Sequence, residues 1–174
     1  MAKVPPIDER NFLKLTQNHS EFHHKIHVLG HEKAASDVTE FAYHVGQCWL
    51  QLACEHLQDA KAAMASSLAR SAYSRSYYAV YNASKSIRYI VNGSVSLKGD
   101  DHQKASDLPD DFPEVDKWAL DITSLREHRV RADYDNWGAT GSEHLLAVAE
   151  TVQLAENFLS DAKQYLEFKC RIKS

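Results

Sequence analysis

The sequence predicts an all-α protein: an antiparallel bundle of four to five helices with an N-terminal helical extension. Two observations lead there. The chain holds six glycines and four prolines, and most fall between segments whose apolar residues recur at three- and four-residue steps. A helix that is apolar along one face must be covered by other helices, and 174 residues suffice for one domain with a real core.

The elements follow in order. Pro5 and Pro6 precede a short amphipathic piece from about Ile7 to Leu15, and a polar, His-rich stretch runs on to about Ala35. Residues 1–35 therefore read as an extension and 36–174 as the bundle. Ser36 or Asp37 is the expected cap of the next helix, with Thr39 and Glu40 giving an imperfect capping box. Val38, Phe41, Val45, Cys48, Leu52 and His56 form its stripe, and it runs to about Ser66. Gly46 weakens it locally by about 1 kcal/mol relative to Ala.

The third helix spans about Leu68 to Val91. Ala72, Ser76, Val80, Ala83, Ile87 and Ile90 make one stripe, and Tyr73, Tyr77, Tyr81 and Arg88 an adjacent one. The small residues of the first stripe let another helix approach closely. Asn92 and Gly93 tolerate positive φ and end the helix. A polar loop from Ser94 to Pro113 has room for one helical turn near Gln103 to Leu108. Pro113 suits the first turn of the next helix, whose apolar face is Val115, Trp118, Ala119, Ile122 and Leu125, and which continues to about Tyr134. Trp137 to Gly141 is a break. Ser142 is the expected cap of a last helix reaching about Arg171, with a stripe that includes Leu145, Val148, Ala149, Val152, Leu159 and Leu166.

Composition excludes several classes. A net charge of −4 gives no global basic field, so any nucleic-acid contact must come from a local cluster such as Arg126, Arg129 and Arg131. No apolar run approaches the roughly 18 residues that span a bilayer, and the first residues lack the apolar core of a signal peptide. The expected location is cytoplasmic, without membrane contact. Cys48 and Cys54 sit on one helix about 600° and about 9 Å apart, too far to bridge. They and Cys170 read as buried or idle thiols.

Function is sought where long cationic and phenolic side chains are mixed into helices, because packing alone has little use for them. Arg126, Arg129 and Asp133 share a helix face, with Tyr134 close to the same line. The arginines suit a phosphate held bidentately and the charge developing on it; a solvated helix end with an internal Arg–Asp pair gives the same spacing. Tyr73, Tyr77, Tyr78 and Tyr81 read as core aromatics or as a stacking wall for a base or ribose. His19, His23, His27 and His31 recur every fourth residue, but no carboxylate or cysteine completes a metal site, and neither metal nor cofactor is expected. His128 and His102 are each capable of acid–base chemistry and each also read as surface histidines. There is no glycine-rich phosphate loop, His-Glu-x-x-His, Cys-x-x-Cys or Gly-x-Ser-x-Gly.

Ala72-Tyr73-x-Arg75-x-Tyr77-Tyr78-Ala-Val-Tyr81-Asn82-Ala, a polar loop, and then Leu125-Arg126-x-x-Arg129-x-x-Ala132-Asp133-Tyr134-Asp135 resemble the HEPN superfamily (higher eukaryotes and prokaryotes nucleotide-binding), over about residues 37 to 170. The resemblance implies a bundle of four to five helices, often a two-fold homodimer. It implies a toxin–antitoxin or phage-defence protein that binds RNA or a nucleotide, with an antitoxin or nucleotidyltransferase as partner. Many such domains are metal-independent endoribonucleases, in which an Arg and a His four to six residues later meet in the dimer cleft. On that pattern Arg126, Arg129, Asp133 and Tyr134 are the catalytic candidates, and Arg126, Arg129, Arg131, Tyr77 and Tyr81 the nucleotide- or RNA-binding ones. No arginine here is followed by His at that spacing, and Ala132 stands where the histidine belongs. The alternative is a non-catalytic module that dimerises or docks a partner through Tyr73, Tyr77 and the small-residue stripe.

Overall fold

The structure, a computed structural model, describes residues 9–135 and 146–173. Among them the regular elements are all helical: α1 (Glu9–Leu15), α2 (His19–Val28), α3 (Glu32–Ala65), α4 (Ala69–Asn92), a 3₁₀ helix (Gly99–Ser106), α5 (Val115–Tyr134) and α6 (Val148–Lys173).

α4 is the central helix and packs against α3, α5 and α6. Its stripe from Ala72 to Ile90 is buried as its spacing predicts. Small side chains there bring the neighbouring backbones close. The tightest approach is at Gly46 of α3, where a Cβ would lie 2.4 Å from Ile90 Cγ1. The residue that weakens α3 locally is therefore the one that admits α4. The two helices run antiparallel, since Gly46 faces Ile90 near one end and His56 meets Arg75 toward the other. On the opposite side Trp118 of α5 stands edge-on to Phe158 of α6, with ring centroids 5.1 Å apart. The Trp118 indole N–H donates to Asp161 at 3.1 Å.

The N-terminal helices dock on the far end of α4. Gly93 ends α4 at φ +76°, and its carbonyl accepts from the Ser20 amide at 3.2 Å. The Val95 amide donates to the Gln17 carbonyl at 2.8 Å. Tyr89, fully buried, donates its hydroxyl to the Thr16 carbonyl and accepts at its own carbonyl from His19 Nε2–H at 2.7 Å.

Several element boundaries differ from expectation. α3 starts at Glu32 behind His31, ahead of Ser36 and Asp37, and no side chain caps it. Gly30, at φ +80°, turns the chain directly from α2 into α3, so Ala35 already lies on the buried face. That face is Ala35, Val38, Ala42, Val45, Gly46, Leu50 and Ala53, while Cys48 and Leu52 are exposed. Large side chains drew the expected stripe; small ones face α4. The loop turn is the 3₁₀ helix Gly99–Ser106, earlier than Gln103. Pro113 lies ahead of the α5 cap, Glu114, which is itself left-handed at φ 49°. On α6 Ala149 is exposed and Phe158 is buried instead. The break at Trp137 to Gly141, the Ser142 cap and Leu145 lie outside the described residues.

The histidine row divides: His19, His23 and His27 lie along α2, with His19 buried against Tyr89 and His23 and His27 stacked at 6.1 Å, while His31 stands at the N-cap position of α3 without a side-chain cap bond. Among the described residues no group of three or more His, Cys, Asp or Glu is placed to hold a metal ion. Cys48 and Cys54 are free thiols, with Cys48 exposed rather than buried. No helix of the described residues is long and apolar enough to cross a membrane.

Candidate functional site

The site begins with a charge that α4 buries. Arg88 is 4% exposed, and a buried guanidinium requires a partner. Asp101 of the 3₁₀ helix, 2% exposed, supplies it. Arg88 donates to both Asp101 carboxylate oxygens, at 2.9 and 3.4 Å. The Tyr81 hydroxyl donates to the same carboxylate at 2.7 Å, and Lys85 Nζ lies 3.6 Å away. Burial pushes the Asp101 carboxyl up, but the Arg88 guanidinium and these further donors outweigh it and hold it below the usual carboxylate value. Ser84 fastens the other end of the 3₁₀ helix by donating to the Ala105 carbonyl at 2.6 Å.

This clamp fixes the next residue, His102. Its Nδ1 lies 2.9 Å from the Tyr77 hydroxyl, and its ring stacks on Tyr81 with centroids 4.2 Å apart. Burial lowers the His102 pKa first, and the charges of Arg129 and Arg126 lower it further. The imidazole is therefore neutral at pH 7 and keeps one nitrogen as an acceptor. Burial pushes the Tyr77 hydroxyl up to about 12, so it stays a phenol.

α5 brings the arginines to the same place. Trp118, Ile122 and Leu125 anchor its buried side, which leaves Arg126 and Arg129 toward α4 and His102. Arg129 donates to the Tyr78 hydroxyl at 3.0 Å and pairs with Asp133 at 2.8 Å. Its guanidinium lies 5.5 Å from the Tyr78 ring centroid and 5.6 Å from that of Tyr134, which is 72% exposed. Arg70, at the start of α4, donates to the Ala132 and Asp135 carbonyls at 3.1 and 2.9 Å. It so holds the end of α5 that carries Asp133 and Tyr134. On the α3 side Arg75 donates to His56 Nδ1 at 3.1 Å, and the His56 ring sits 5.6 Å from Tyr78.

The fold thus gathers Arg126, Arg129, Asp133 and Tyr134 with Tyr77, Tyr78 and Tyr81. It does not bring in Arg131, which is exposed and whose charge acts on buried His128. His128 faces the bundle, where its Nε2 accepts from the Leu146 amide at 3.3 Å. Tyr77 is 1% exposed, so its hydroxyl reaches the site while its ring does not offer a stacking surface. Tyr73, buried as well, donates to the Leu146 carbonyl at 2.6 Å. Ala132, where the resemblance puts the histidine, is fully buried.

Sequence reasoning weighed His102 apart from this cluster and did not place His56 or Arg75 in it. One signal was present. An arginine on the buried face of α4 demands a carboxylate, and Asp101 is the neighbour of His102.

A family model described as HEPN domain matches residues 47–173. The chain belongs to the HEPN family. Comparison with curated proteins and with solved structures gave no match. In this HEPN protein the matched range holds the 3₁₀ helix and α4 to α6 entire and most of α3, whereas α1 and α2 precede it. Membership carries a nucleotide- or RNA-related function at the level of the family.

Proposed function

We propose that this HEPN protein binds RNA or a nucleotide on the face formed by α4, the 3₁₀ helix and α5. Arg126 and Arg129 hold phosphate, Asp133 orients Arg129, and exposed Tyr134 and half-buried Tyr81 give rings for a base or ribose. The observation that carries the reading is the arrangement of Arg129, which spans Tyr78 and Tyr134 beside the Tyr77–His102 pair. A guanidinium held this way is oriented before a ligand arrives, so less freedom is lost on binding. The wider proposal is a two-fold homodimer of a cytoplasmic toxin–antitoxin or phage-defence system, regulated by an antitoxin or nucleotidyltransferase.

A docking module working through Tyr73, Tyr77 and the small-residue stripe is the weaker alternative, because those residues are buried within the bundle. Fluorescence anisotropy with a labelled single-stranded RNA tests the binding reading. Arg126→Ala and Arg129→Ala should each weaken binding by about 10-fold or more, as expected for loss of a charge-assisted contact of about 1.5–3 kcal/mol. Equal affinity in wild type and both variants, with helicity unchanged, would refute it.

A further inference from the structure

We propose that a cavity beside the Arg88–Asp101 clamp binds a small phosphorylated sugar, separately from the RNA or nucleotide proposed above. The cavity, of about 430 Å³, lies where the turn from α1 into α2 meets the end of α4 and the 3₁₀ helix. That volume suits a small ligand. Neither Arg126, Arg129 nor His102 lines it. Its walls are set before any ligand arrives. The Val95 amide donates to the Gln17 carbonyl at 2.8 Å, and the Ser20 amide to the Gly93 carbonyl at 3.2 Å.

Arg88 is the most deeply buried charge at the cavity, 4% exposed. A guanidinium carries five N–H donors. Arg88 uses its Nε–H on Ser84 at 3.3 Å, and one N–H each of Nη1 and Nη2 on Asp101 at 2.9 and 3.4 Å. The second N–H of each Nη remains. A buried donor without an acceptor is costly, and an anionic oxygen is the strongest acceptor for it. Lys98 and Lys104 stand at the same cavity. Lys104 faces Asp100 at 3.9 Å with both side chains about half exposed, a pair of little strength that a phosphate can displace. Three cations thus meet one dianionic group. Asp100 and Asp107, with the amides of Gln17 and Asn92, add acceptors for the hydroxyls of a sugar. Val95 is the apolar residue at the cavity, and no aromatic ring lines it. A nucleobase therefore finds nothing to stack on, and the ligand is a sugar phosphate rather than a nucleotide.

The test is calorimetric titration of the full chain with ribose 5-phosphate, ribose and inorganic phosphate, and of the Arg126→Ala/Arg129→Ala variant with ribose 5-phosphate and adenosine 5′-monophosphate. Ribose 5-phosphate should bind both proteins equally, more tightly than inorganic phosphate, and ribose should not bind. Lys98→Ala/Lys104→Ala, two exposed changes that leave the clamp intact, should weaken ribose 5-phosphate by about 10-fold or more. Asp107→Asn should weaken ribose 5-phosphate but not inorganic phosphate. The side-chain N–H signals of Arg88 should shift in NMR spectra on addition of ribose 5-phosphate. In the arginine variant the nucleotide should bind no more tightly than ribose 5-phosphate. No binding of ribose 5-phosphate at millimolar concentration overturns the proposal, as does binding that the lysine changes leave intact or that the arginine changes remove. A nucleotide that binds the arginine variant about 10-fold more tightly than ribose 5-phosphate overturns it too, because that gain would require contacts to the base. The varied lysines and Asp107 take no part in the RNA face, so either reading can fail while the other stands.

Discussion

Replacing Asp101 by Asn removes the counter-charge of a guanidinium that is 4% exposed. The geometry sets the size of the effect. The carboxylate accepts from Arg88 at 2.9 and 3.4 Å and from Tyr81 at 2.7 Å, and it faces Lys85 at 3.6 Å. An amide keeps one acceptor and turns N–H groups toward three donors. Breaking one side of such a buried pair costs about 3–5 kcal/mol. For a chain of this size that lowers Tm by roughly 6–20 °C. Thermal unfolding followed by circular dichroism at pH 7 measures it directly. The pH dependence checks the cause. The folded pKa of Asp101 is depressed below its ordinary 3.8, so its contribution is complete above that value and is lost as pH falls through the folded pKa. Wild type and Asp101→Asn should therefore converge in stability as the pH drops below about 4. The double variant Arg88→Met/Asp101→Leu, which removes both charges, should be more stable than the sum of its single changes predicts. A Tm for Asp101→Asn within about 2 °C of wild type would refute the reasoning.

Further outcomes follow from other parts of the structure. Gly46→Val places a Cβ 2.4 Å from Ile90 Cγ1 and should destabilise the fold by at least about 1–3 kcal/mol in urea unfolding, with partial recovery when Ile90→Ala is added. Gly93→Ala forces a side chain into φ +76° and against Ser20; about 1–2 kcal/mol of strain should loosen α1 and α2, read as faster limited proteolysis there. The lowered pKa of His102 makes stability complete above the ordinary 6.5 and lost as pH falls from there through the folded value; His102→Gln should flatten that part of the profile. Arg129→Ala should reduce the salt dependence of RNA binding by about one unit of slope.

The helices of the core were legible because their periodicity is made by side chains that pack. Ala72, Ser76, Val80, Ala83, Ile87 and Ile90 step along α4 and are all buried. The Arg129–Asp133 pair was legible for the same reason, since a step of four brings two residues together on any helix. The buried face of α3 was read only in part: Val38 and Val45 lie on it as expected, but Ala42, Gly46 and Ala53 carry little hydrophobic weight, although small size is what α4 requires of them. His102 was not legible as part of the site. Its position depends on an ion pair closed across a loop, and no local period marks such a contact. The docking of α2 on Gly93 likewise rests on backbone bonds between distant segments, which side-chain patterns do not record.

The most direct test of the central claim is the His102 ring followed by NMR during titration with a single-stranded RNA. Phosphate seated on Arg126 and Arg129 adds negative charge beside the imidazole and offsets the guanidiniums that hold its pKa down. RNA should shift the His102 ring signals and raise its pKa, and Arg126→Ala/Arg129→Ala should abolish both effects. Ring signals and a pKa that stay unchanged at saturating RNA would contradict it.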